Sequence, residues 1–105
     1  MKDYRRIAED FARQMKAKYG DRIERIILFG SVARGDYRED SDVDLLVVTG
    51  SDRMSLQSDL AQEAVDVLLG DEVVVSPLVV SAEEAARLPR TALGRELARE
   101  GLAIA

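Results

Sequence analysis

Tyr4, Ile7, Ala8, Phe11, Met15 and Tyr19 recur at intervals of three and four positions, the period of one face of a helix, and Gly20 follows as a stop. The pattern then shortens. Ile26-Ile27-Leu28-Phe29 is a compact apolar run of the kind that makes a buried strand, and it ends at Gly30-Ser31, a turn signal. Asp42-Val43-Asp44-Leu45-Leu46-Val47-Val48 is a second, β-branched run, with acids at its start. Thr49-Gly50-Ser51-Asp52 reads as a turn and helix cap, followed by a helix that turns Leu56, Leu60, Ala64, Val67 and Leu68 inward and stops at Gly70. A third strand is expected over 72–80. Ser81-Ala82-Glu83-Glu84 has the form of a capping box, Pro89 interrupts the helix it opens, and a last helix runs from near Thr91 through Leu93 and Leu97 to Gly101. Residues 102–105 are expected to add a short edge strand. This order of elements predicts a single α/β (α+β) domain over residues 1–105, with no internal repeat or linker.

The chemistry gathers between the first two strands. Successive side chains of a strand alternate between faces, so Asp42 and Asp44 share one face while Val43, Leu45 and Val47 line the other. Two positions apart, the two Cα atoms lie roughly 6.6 Å from each other, which lets both carboxylates converge on a small hard cation. Like charges on an apolar strand cost stability unless a cation compensates. Before them, Gly30 permits a sharp turn and a close ligand approach, and Ser31 is expected to cap a short helical turn through Val32, Ala33 and Arg34. Free N–H groups at such a turn favour phosphate oxygens. Arg34 has two readings: a charge-assisted phosphate contact, or a local brace to Asp36 or Asp40.

Composition narrows the chemistry further. The 105 residues include no cysteine and no histidine, which excludes disulfides, thiol nucleophiles, imidazole acid–base work and the common zinc ligand sets from a site made by this chain alone. Oxygen-ligand chemistry with a hard cation and phosphates is what such a sequence can support. A net charge of −5, with the basic residues spread along the chain, argues against direct nucleic-acid binding. No run has the length of a membrane span and no secretory leader is legible at the N-terminus, so a cytoplasmic protein is expected.

The run G-S-x-A-R-G, a polar spacer and S-D-x-D-L between Phe29 and Val47 resembles the signature of the nucleotidyltransferase superfamily that includes DNA polymerase beta. It is most similar to the minimal nucleotidyltransferases of bacteria and archaea, many of them encoded beside HEPN-domain proteins as toxin–antitoxin pairs. The resemblance implies a nucleotidyltransferase fold, a small mixed β-sheet flanked by helices. It also implies a nucleoside triphosphate, ATP above others, held at Gly30, Ser31 and Arg34, and Mg²⁺ held by Asp42 and Asp44.

Active members of that superfamily usually carry a further acid on the next strand. Aligning Val75-Ser76-Pro77-Leu78-Val79-Val80 with that pattern puts Ser76 at its position, and a serine hydroxyl replaces a carboxylate neither as a base nor as a strong Mg²⁺ ligand. Glu72 shares the parity of Ser76 but lies about 13 Å away along a strand. Pro77 points to an edge strand or a bulge, and a bulge would change the parity. Two functions follow: transfer of AMP from ATP to a hydroxyl of a HEPN-type partner protein, or a catalytically degenerate module of the same fold that acts by occupying its partner. A homodimer is a further expectation, with no seam for it identified from the sequence.

Overall fold

The computed structural model describes residues 2–105. Helix α1 (Tyr4–Tyr19) leads through a 3₁₀ turn into β1 (Arg25–Phe29), the short helix α2 (Gly30–Arg34), β2 (Val43–Thr49), α3 (Arg53–Asp71), β3 (Val75–Ser81), α4 (Ala82–Arg87), a second 3₁₀ turn, α5 (Ala92–Glu100) and β4 (Leu102–Ala103). The four strands form one sheet in the order β3-β2-β1-β4. β1 runs antiparallel to β2 and β4, while β2 and β3 are parallel, α3 supplying the crossover that a parallel pair requires. The sheet is therefore mixed, with helices on both faces, as expected.

Alternation along β2 divides the core. Val43, Leu45 and Val47 join Ile26, Leu28, Val75 and Val79 beneath α1 and α3, with Phe11, Met15, Leu56 and Leu60 closing that layer. Leu46, Val48 and Val80 face the other way, against Ile27, Phe29, Ala85, Leu88 and Leu97. Each large side chain so buried contributes about 1.5–3 kcal/mol. α5 packs tightly over this second layer because residue 94 is glycine: a Cβ there would lie 1.7 Å from the Leu88 carbonyl oxygen.

Four expectations are corrected. Gly70 does not end α3; the helix continues to Asp71 and is capped by Glu72 in a left-handed conformation, φ +57°. Glu72 thus belongs to the end of a helix, and β3 starts only at Val75. Leu68 is exposed, not inward, because it lies off the helix face that Leu56 and Leu60 turn to the core, on the side of the groove beside Val75 and Pro77. Ser31 lies inside α2, whose N-cap position is Phe29 with no side-chain cap, since the chain enters the helix directly from the strand.

The β3 ladder is unbroken from Val43↔Val75 to Thr49↔Ser81, so there is no bulge, and Pro77 sits on an edge strand. Its missing N–H costs the sheet nothing. The Gln57 amide of α3 donates to the Pro77 carbonyl at 2.8 Å and accepts from the Val79 N–H at 2.8 Å, which shows that the polar groups of these two residues point away from β2. Gln57 thereby satisfies edge groups that no strand reaches. Gln57→Ala is expected to lower unfolding stability by about 1–2 kcal/mol in urea denaturation, through the two groups left unpaired.

Candidate active site

The candidate residues meet at one end of the sheet. In the β1–β2 ladder Phe29 opposes Asp44, so the residue after Phe29 turns immediately above that acid. Gly30 has φ +77°, and a Cβ on it would stand 2.4 Å from Asp44 Oδ2. Glycine is required here twice over, by the backbone conformation and by the carboxylate that occupies the side-chain space. Gly35, at φ +84°, closes α2 with its N–H on the Ser31 carbonyl, and Asp36 N–H donates to the same oxygen. Ser31 itself is half-buried.

The loop from α2 to β2 is pinned at both ends. Ser41 accepts from the Arg38 N–H at 2.7 Å through its hydroxyl and donates its own N–H to the Arg38 carbonyl at 3.0 Å, a closed turn that delivers Asp42 to the start of β2. The ring of Tyr4 in α1 packs at a tilt against Tyr37, 5.1 Å between centroids, and its hydroxyl donates to the Glu39 carbonyl. Asp42 is exposed and Asp44 half-buried. Burial first, then the negative charges of Asp42 and Glu96, push the Asp44 carboxyl above the usual carboxylate range, with Arg34 opposing. Ser76 is the ladder partner of Asp44 on β3, and partners in register point to the same face.

Arg34 is surrounded by acids. Its guanidinium lies 3.2 Å from Asp36, 3.1 Å from Glu100 and 3.7 Å from Glu96, so of the two expected roles the brace is the one seen here, with Asp36; Asp40 takes no part among these pairs. The two α5 glutamates were not singled out from the sequence. Their signal was present: like charges at positions i and i+4 of a helix repel, and Glu96 and Glu100 share a cation from elsewhere in the chain.

The donor set suits a small hard cation. A half-buried carboxylate, Asp44, next to the exposed carboxylate of Asp42 is a donor pair that Mg²⁺ can use, since it takes one or two protein carboxylates and completes its shell with phosphates and water. Among the described residues no group of three or more ligating side chains gathers at one point, so the remaining ligands would come from outside the chain. No helix of the described residues is long and apolar enough to cross a membrane.

A mixed sheet with a glycine turn and two acids at one end of its central strands defines a nucleotidyltransferase-type domain. The model of the nucleotidyltransferase domain family matches residues 8–97, and the chain belongs to that family. A Methanocaldococcus jannaschii protein provisionally named a protein adenylyltransferase is 44% identical over 75 residues, 71% of this chain and 71% of its own. A toxin–antitoxin crystal structure with AMP-PNP superposes with a TM-score of 0.57 at 17% identity, over 92% of this chain and 72% of its own. A structure of a tri-AMPylated Shewanella oneidensis HEPN toxin in complex with MNT antitoxin gives 0.56 at 15%, over 95% and 71%. At these identities the two structures speak for the fold.

Two outcomes test the geometry. Gly30→Ala is expected to lower stability by about 1–3 kcal/mol, from the positive φ and the displaced Asp44 carboxylate, read by chemical denaturation. For Asp44, a folded-state pKa above the unfolded one means that the native state holds the extra proton between the two values, and stability falls as pH rises through that window. Asp44→Asn should therefore melt a few degrees above the parent at neutral pH. That advantage should shrink as pH falls to about 4, where the unfolded carboxyl also protonates.

Proposed function

We propose that residues 1–105 work as one nucleotidyltransferase domain that takes AMP from ATP and places it on a hydroxyl of a partner protein, a HEPN-type toxin, in the cytoplasm. One observation carries this reading: the Gly30 turn and the Asp44 carboxylate interlock, with the acid lying where a Cβ of residue 30 would stand. A phosphate chain over the Gly30-Ser31 turn would thus lie directly beside Asp44 and Asp42. The 44% identity to a provisionally named protein adenylyltransferase supports the reaction type and ATP. The complex of an AMPylated HEPN toxin with an MNT antitoxin supports the class of acceptor.

In this reading Mg²⁺, when bound by Asp42 and Asp44, supplies charge neutralisation for the triphosphate. The chain's own residues do the positioning. Gly30 admits the phosphates close to the backbone, the free N–H groups at the start of α2 and the Ser31 hydroxyl offer donors, and Arg34 stands one helical turn away. The acceptor oxygen attacks the α-phosphorus, the bond to the β-phosphate oxygen breaks, pyrophosphate leaves, and the hydroxyl proton passes to solvent.

A second reading rests on Ser76. The Asp44–Ser76 register supports it: with Ser76 standing for a third acid, the strand offers a neutral hydroxyl, and a serine takes up no acceptor proton at neutral pH. The chain would then act by occupying its partner, without transfer. Calorimetric titration with ATP, with and without Mg²⁺, followed by transfer of labelled AMP to the partner protein, separates the two. Mg²⁺-dependent binding and transfer are expected, and Asp42→Ala or Asp44→Ala should reduce transfer roughly a hundredfold or more. Binding with no transfer, or no binding of nucleotide in either condition, would select the degenerate module.

A further inference from the structure

The contacts of Arg34 use two of its three nitrogens. Nε donates to Asp36 Oδ2 at 3.2 Å and Nη1 to Glu100 Oε2 at 3.1 Å, with Glu96 in a looser ion pair 3.7 Å from Nη1. Among the described residues Nη2 has no hydrogen-bond or ion-pair partner. A guanidinium is a rigid plane of five N–H donors, so fixing two of its nitrogens also fixes the third, and the two N–H groups of Nη2 are left for a ligand. The side chain keeps 37% of its surface. Its charge reaches Asp44, where it opposes the upward shift that burial and the neighbouring acids impose. The brace and the phosphate contact, alternatives when read from the sequence, therefore draw on different atoms of one side chain.

Glu100 is poorly placed for its own helix. It is the last residue of α5, where the dipole disfavours a negative charge, and it follows Glu96 by four positions, a like charge on the same face. What it reaches is Arg34, 66 positions earlier in the chain. Both ends of that contact are built on β1: α2 continues directly from Phe29, and just after Glu100 the chain joins the same strand as β4, Leu102 pairing with Leu28. The contact is thus set on rigid supports, as the aiming of a side chain requires, whereas an ion pair this exposed adds little to stability.

We propose that Glu100, together with Asp36, is a positioning residue for Arg34: the two carboxylates hold the guanidinium so that Nη2 meets a phosphate of the nucleotide lying over the Gly30-Ser31 turn. The proposal rests on the nucleotide reading of that site and adds how its arginine is aimed. An arginine on a five-residue helix with no such anchors would sample many rotamers, and ordering it at the moment of binding weakens affinity. The acids also stand close to a polyanion, which by charge alone disfavours binding. Geometry decides between the two effects, because the carboxylates occupy Nε and Nη1 and a phosphate on Nη2 displaces neither.

The test is calorimetric titration of the full chain with ATP and Mg²⁺, comparing Glu100→Ala with Glu100→Gln. Both variants remove the charge, but glutamine keeps the reach of the side chain and an oxygen that accepts from Arg34. Glu100→Ala is expected to weaken binding about three- to tenfold and Glu100→Gln by less than about twofold, both with the melting curve of the nucleotide-free parent to within about two degrees. Arg34→Ala should weaken binding about tenfold or more, and Glu100→Ala added to it should weaken binding no further, since Glu100 acts only through Arg34. Tighter binding by Glu100→Ala would overturn the proposal, the acid then being a competitor of the phosphate. So would unchanged binding, the contact then being only a staple between α2 and α5, or an equal loss in both Glu100 variants. ATP bound equally by the parent and by Arg34→Ala would remove this proposal and leave the nucleotide reading in place, whereas a parent that binds no ATP would remove both.

Discussion

The carboxylate of Asp44 fills the space that a side chain on residue 30 would need. This single contact ties β2 to the turn after β1, and most of what is distinctive about the molecule follows from it. It depends on the antiparallel register that sets Phe29 against Asp44. That register is held by the alternation of β2, whose Val43, Leu45 and Val47 are almost wholly withdrawn from solvent. A slip of one residue would bring Asp44 into the core beneath α1 and α3 and expel Val43 or Leu45 from it, at a cost of several kcal/mol. The same hydrophobic burial that assembles the sheet therefore also sets the position of the acid.

The electrostatics of that end of the sheet are left unbalanced on one side and balanced on the other. Asp44 is half-buried beside Asp42 and within the field of Glu96, and burial first, then those charges, raise its carboxyl; among the described residues it forms no ion pair. A few residues away Arg34 has three carboxylates around it. Arg34 joins α2 to α5 across the face of the sheet, so the helix behind the turn is held from the far end of the chain. Folding alone would have distributed this charge more evenly, and such imbalance is what a functional site tends to carry.

The helix α3 shows a related tension. Its inner face serves the core and its Gln57 closes the β3 edge, yet its outer face leaves Met54, Val65, Leu68 and Leu69 exposed. A helix that only had to cross from β2 to β3 would be expected to carry charge there. Its charged residues are instead drawn to the side where Lys18, Tyr19 and Arg22 meet them.

Local patterning was enough to recover the helix of residues 4–19, the three main strands, the capping box at Ser81–Glu84, the break at Pro89 and the short last strand, because each rests on periodicity or on the stereochemistry of one or two residues. The motif residues around Gly30 and Asp44 were legible for the same reason: their spacing is local, and their placement costs something that an ordinary strand and turn would not incur. Where local signals erred, the physical reason is equally plain. Gly70 is a helix stop only if nothing beyond it favours more helix, and Glu72 accepted the left-handed cap instead. What lay beyond the sequence were relations between distant segments: the parallel register that sets Ser76 beside Asp44, the amide of Gln57 substituting for a missing strand, and the pairing of Arg34 with Glu96 and Glu100. Those depend on how layers pack and which edges remain open, and only the assembled sheet with its two helical faces decides them.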